Sequence, residues 1–118
     1  MPHPAPNLFD THTHLNETVF DADRPEVLAR ARARGVGEML VVGYDLASSA
    51  SAIALAQAEG LYAAAGIQPH YAAQTGPQEI ARLRRLLEQP GVVALGEIGL
   101  DYYRNRSPRA DQQRLLRD

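Results

Sequence analysis

Residues 38–66 read EMLVVGYDLASSASAIALAQAEGLYAAAG, and the order of their parts decides the fold. Glu38-Met39-Leu40-Val41-Val42-Gly43 carries a run of apolar residues without alternation, the pattern of a strand buried on both faces. Leu46 to Glu59 reads as an alanine-rich helix ended by Gly60. Leu61-Tyr62-Ala63-Ala64-Ala65-Gly66 reads as a second strand, although alanine by itself favours helix. Strand, helix and strand in this order imply parallel strands joined by a right-handed crossover.

The pattern extends to both sides. Upstream, Asn7-Leu8-Phe9-Asp10 begins a short strand, and a helix is expected from about Asp23 to Arg34. Asp23 is placed to cap that helix, Pro25 suits its first turn and Gly35 its end. Val27, Leu28 and Ala31 give it an apolar stripe. Downstream, Pro77 to Gln89 is a helix with Ile80, Leu83, Leu86 and Leu87 on one face, broken by Pro90-Gly91. Val92-Val93-Ala94-Leu95-Gly96 is a fourth strand, and Arg109 to Asp118 starts a fourth helix.

Strand starts near Leu8, Met39, Leu61 and Val92 give a repeat of roughly 28 residues, so eight units need about 225, close to the ~250 of a closed β/α barrel. This chain of 118 residues holds four. The expected fold is therefore α/β: the first four β/α units of a TIM-like (β/α)8 barrel, truncated after the fourth. Residues 7–118 form the half barrel, and residues 1–6, with prolines at 2, 4 and 6, are read as a flexible tail. A free half barrel exposes sheet edges and apolar surface, so either the chain is a fragment or self-association closes those edges. The alternative is an open doubly wound sheet, but no Gly-x-Gly-x-x-Gly or Walker sequence follows any strand.

Composition narrows the function classes. Hydrophobic residues make up 45%, enough to form a core. No apolar run approaches the roughly 18 residues of a membrane span, and Met1 to Pro6 lacks the pattern of a secretion signal, so a cytoplasmic protein without membrane contact is expected. Cysteine is absent, which removes disulfides, thiolate metal sites and a cysteine nucleophile. With 14 acidic and 12 basic residues the net charge is −2, unlike a protein that coats nucleic acid by charge alone.

The chemistry gathers at strand ends. In Asp10-Thr11-His12-Thr13-His14, strand alternation turns Asp10, His12 and His14 to one face. Two imidazoles so placed can grip a divalent cation, with Asp10 orienting one ring. Glu97, in Gly96-Glu97-Ile98-Gly99-Leu100-Asp101-Tyr102, emerges at the same end of the sheet, and a carboxylate can bridge two cations. Gln68 and His70, after the third strand, stand on the rim of the same pocket, with His70 able to hydrogen-bond a substrate phosphate or a water. Asp101 suits a hydrogen-bonding role in its loop better than a ligand role. Tyr102, Tyr103, Arg104 and Arg106 join aromatic faces, which stack on bases, to guanidinium groups, which bind phosphate. Gly43-Tyr44-Asp45 adds to the rim without distinctive chemistry, and His3 has no assigned role.

Phe9-Asp10-Thr11-His12-Thr13-His14-Leu15, Gly66-Ile67-Gln68-Pro69-His70 and Gly96-Glu97-Ile98-Gly99-Leu100-Asp101-Tyr102 resemble, in this order and at similar spacing, the TatD family of metal-dependent hydrolases. The resemblance implies a β/α barrel of the amidohydrolase type, two divalent cations (Mg, Mn or Zn) and deoxyribonuclease activity on DNA or another phosphodiester. By position it implies His12 and His14 as the first metal pair, Glu97 as the bridging and catalytic carboxylate, and His70 as the second histidine of the family's Gly-x-His-Pro-His segment. Gln68 stands where many members carry the first histidine of that segment. The family's later histidines and late aspartate lie beyond residue 118, so a weakly active fragment is expected.

Two other readings stand beside this one. Another amidohydrolase-type reaction, on amide, ester or lactone, uses the same histidine pair, but several such enzymes need a carboxylated lysine, and this chain has no lysine. A non-enzymatic interaction module is the other.

Overall fold

The computed structural model describes residues 7–118; the expected tail, 1–6, lies outside them. Four strands, β1 (Leu8–Thr13), β2 (Val36–Val42), β3 (Tyr62–Ala65) and β4 (Val92–Leu95), form one sheet in the order β1-β2-β3-β4. All three pairings are parallel. The connections carry α1 (Arg24–Ala33), α2 (Leu46–Glu59) and α3 (Pro77–Leu87), and α4 (Arg109–Arg117) follows β4. This is an α/β fold of four consecutive β/α units, part of a β/α barrel.

The sheet packs one face on the helices. Met39 and Val41 of β2 and Ala63 and Ala65 of β3 meet Leu28 of α1, Ala52, Ile53 and Ala56 of α2, and Leu83 of α3. The alanines of β3 are strand because of this packing. Ala63 and Ala65 are fully buried, and α2 lies against them with alanines of its own, so small side chains on both elements let the layers approach. Tertiary contact here outweighs intrinsic helix preference.

α2 runs over the residues expected. Asp45 accepts a hydrogen bond from the Ser48 backbone N–H at 2.7 Å, and the Ser48 hydroxyl engages the Asp45 N–H at 3.0 Å, a reciprocal cap. Gly60 ends the helix at φ 67°, a left-handed conformation in which glycine carries no Cβ penalty.

Elsewhere the structure corrects the sequence reading. α1 starts after Asp23, whose side chain makes no capping bond. The Arg24 guanidinium instead ties the preceding loop together, donating to the carbonyls of Leu15 (2.6 Å) and Glu17 (2.9 Å) and to Asp21. α3 stops at Leu87, two residues short of Gln89. Two 3-10 turns, Thr18–Phe20 and Pro69–Gln74, lie in stretches to which the sequence assigned no element. β1, by contrast, runs to Thr13 as read, with His12 inside the strand and His14 one residue past it.

β1 and β4 are the sheet's edges. Apolar side chains beside them stay exposed, with Leu8 at 50%, Phe9 at 44% and Leu95 at 52%. An apolar groove between α3, α4 and the end of β4 is lined by Ile67, Ile80, Leu83, Leu95, Ile98 and Leu115. His12, His14 and Glu97 do not line it.

Candidate metal centre

Two strand ends deliver the site's side chains, and a third, that of β2, holds the loop that carries one of them. β1 delivers His12 and, one residue past its end, His14; β4 delivers Glu97 two residues past its own end. The backbone N–H of Glu97 donates to the carbonyl of Gly43, just after β2, at 2.7 Å. This bond fixes the loop after β4 over the ends of β2 and β3. Gly66 makes the approach possible: a Cβ there would collide with the backbone of Gly96 and Glu97. Ser49, fully buried on α2, clamps Gly66 from the other side. Its hydroxyl donates to the Gly66 carbonyl and accepts from the Gly66 N–H, both at 3.1 Å.

His12 Nε2 and His14 Nε2 lie 3.2 Å apart. Glu97 Oε2 lies 3.5 Å from His14 Nε2 and 4.0 Å from His12 Nε2. Ligands on one cation with bonds of ~2.1 Å stand roughly 3.0–3.4 Å apart in octahedral or tetrahedral geometry. Two of the three separations fall at or near that range, and the third, His12 to Glu97 at 4.0 Å, is longer. Among the described residues these three form the one cluster with metal-ligand spacing.

The tautomer supports the fit. His14 Nδ1 lies 2.8 Å from the Val42 carbonyl oxygen, which only accepts, so Nδ1 carries the proton. In the neutral ring the lone pair then sits on Nε2, facing Glu97 and His12. A second nitrogen and a carboxylate oxygen converge on that lone pair, and a divalent cation satisfies all three at once.

Asp10 departs from expectation. Strict alternation would place it with the two histidines, but the β1–β2 register shifts between Asp10 and Thr13. The Asp10 carboxylate turns back to accept the His12 backbone N–H at 3.2 Å, and the group orienting a histidine ring is the Val42 carbonyl. Tyr44, read as undistinguished rim, packs edge-on against the His14 ring with centroids 5.9 Å apart. Its phenol is pushed up to about 12, first by a hydrogen bond to Glu17 and then by desolvation. The signal available in sequence was position alone: Tyr44 follows β2 at the same end of the sheet.

His70 and Asp101 form a second, separate group. His70 Nε2 lies 2.9 Å from Asp101 Oδ2, an ion-pair geometry when the ring is protonated, and both side chains are mostly buried. The Arg104 backbone N–H, then the His70 ring, hold the Asp101 carboxyl down to about 2. Asp101 thus works as a hydrogen-bonding residue of its loop. Gln68 donates its backbone N–H to the Tyr44 carbonyl at 2.8 Å and opens the 3-10 turn that carries His70. Tyr102 accepts from the Gln113 amide at 2.7 Å, and the Arg109 guanidinium lies 4.5 Å from its ring centre. Arg104 and Arg106 are exposed.

The family described as "TatD related DNase" matches residues 9–118. The chain belongs to this family. It is 44% identical over 107 residues to the "3'-5' ssDNA/RNA exonuclease TatD" of Cronobacter turicensis, an alignment covering 90% of this chain and 41% of the relative. It is 38% identical over 112 residues to the "uncharacterized metal-dependent hydrolase YabD" of Bacillus subtilis, covering 94% and 44%. Among solved structures, the TatD homologue YjjV of Escherichia coli superposes with a TM-score of 0.83 at 34% identity, over 94% of this chain and 44% of that one. A TatD-family hydrolase of Entamoeba histolytica, 24% identical with a TM-score of 0.85, shows the shared fold. The chain thus spans somewhat less than half the length of these relatives.

Proposed function

We propose that this chain carries the metal-binding half of a hydrolase that cleaves phosphodiester bonds in DNA or a related single-stranded nucleic acid. The convergence of His12, His14 and Glu97 within 4.8 Å, from β1 and β4, carries the reading. His12 and His14 would supply nitrogen ligands and Glu97 a carboxylate able to bridge two cations. Mixed nitrogen and oxygen donors suit zinc or manganese and, less well, magnesium. A divalent cation bound there supplies Lewis-acid charge that acidifies water and polarises a phosphate oxygen.

The other residues act on substrate. The exposed Arg104 and Arg106 guanidinium groups fit phosphate oxygens, and Tyr102 lines the same loop. His70, its Nε2 engaged by Asp101, and Gln68 serve a phosphate or an attacking water from the β3 side. The names of the relatives agree with a nuclease, and among the described residues no helix is long and apolar enough to cross a membrane. Self-association through the apolar edges has no support among the relatives. Sedimentation tests it, and a monomer at high concentration argues against it.

Oligonucleotide hydrolysis is the test. The 118-residue chain should show little or no turnover. A form extended by the β/α units its relatives possess should cleave DNA only with divalent metal. Cleavage that survives exhaustive EDTA treatment would contradict the reading.

A further inference from the structure

The most exposed large apolar side chain described is Tyr103, at 93%. It stands on a loop that is firmly held. The Asp101 carboxylate accepts the Arg104 N–H at 2.9 Å, and the Asn105 N–H donates to the Asp101 carbonyl at 3.2 Å. Gln112, 2% exposed beneath the loop, accepts the Asp101 N–H at 2.9 Å and donates to the Ser107 carbonyl at 2.8 Å. Ser107, itself buried, donates to the His70 carbonyl at 2.8 Å. An aromatic ring is therefore held out in water by a braced turn and gains nothing from burial.

Its neighbour differs. Tyr102 is engaged by Arg109 and Gln113, whereas Tyr103 has the Arg104 guanidinium 5.9 Å from its ring centre and is otherwise open to solvent. Arg104 places positive charge beside the ring, and Arg106, two residues further along the loop, is exposed. An exposed aromatic face with a guanidinium group beside it suits a nucleobase on a phosphodiester strand, since every base has a face to stack and every linkage a charge to pair. A duplex hides its base faces in its own stack, so such a platform selects unpaired strands.

We infer that Tyr103 is a base-stacking platform that gives the site its preference for single-stranded nucleic acid. This rests on the nuclease reading for the site's purpose, but its test does not depend on hydrolysis. The chain has no tryptophan, so Tyr103→Trp introduces a single reporter. In EDTA, that variant is titrated with a single-stranded oligothymidylate, an abasic strand of equal length and a duplex. Oligothymidylate should quench its emission strongly, and the abasic strand and the duplex should leave it nearly unchanged. Tyr103→Ala, folded by circular dichroism, should bind oligothymidylate roughly 5- to 150-fold more weakly than the parent chain, the range of one lost stacking contact. Emission indifferent to oligothymidylate, equal quenching by the abasic strand, or unchanged affinity of Tyr103→Ala would each overturn the inference. Quenching without hydrolysis in an extended form would leave the platform standing and remove the nuclease reading.

Discussion

The ring of His14 is held from behind by the main-chain carbonyl of Val42, 2.8 Å from Nδ1 and 28 residues away in sequence. Because a carbonyl can only accept, the contact decides which nitrogen faces the cluster. Nitrogen-15 chemical shifts at neutral pH should show His14 protonated at Nδ1 before metal is added. A ring protonated at Nε2 alone would contradict the geometry.

Gly66 sits where β3 passes beneath Gly96 and Glu97, and a methyl group there meets backbone on the other side. Backbone cannot rotate aside as a side chain can. Gly66→Ala should cost about 1–3 kcal/mol by denaturant unfolding and weaken metal binding as well, by moving Glu97. A variant as stable as the parent, with the same metal affinity, would show that this close approach does not position Glu97.

Ser49 is wholly buried and satisfies both backbone groups of Gly66. Ser49→Ala leaves a donor and an acceptor without that partner, and the expected loss is about 1–3 kcal/mol. Asp45→Ala removes the cap of α2 and should cost about 1 kcal/mol. Urea unfolding of each variant checks both values.

Asp101 sets an acid limit. Its carboxyl is held at about 2 in the folded chain, against an ordinary 3.8. A lowered carboxyl stabilises the fold above its unfolded value and loses that contribution as pH falls through the folded one. Unfolding free energy should therefore decline between about pH 4 and pH 2, and Asp101→Asn should flatten that part of the profile. An unchanged slope in the variant would remove Asp101 as its cause.

The helix–strand alternation was legible because apolar runs, prolines and glycines mark each boundary: Gly60 ends α2 and Pro77 opens α3 as read. The site's outline was legible because His12 and His14 close one strand and Glu97 follows another. The rest depends on partners distant in sequence. His70 and Asp101 lie 31 residues apart, and no local pattern announces their contact. Gln112 looks like a surface residue of a polar helix until the loop it braces folds over it. The register shift between Asp10 and Thr13 breaks the simple alternation on which Asp10's expected role rested, and its carboxylate takes the His12 backbone N–H instead.

Cobalt(II) binding to the 118-residue chain, followed by visible absorption, tests the cluster without requiring turnover. His12→Ala, His14→Ala and Glu97→Gln, each folded by circular dichroism, should weaken binding by roughly tenfold or more, since losing a ligand costs at least as much as losing its supporting partner. Three variants that bind cobalt as the parent does would show that these side chains do not share an ion.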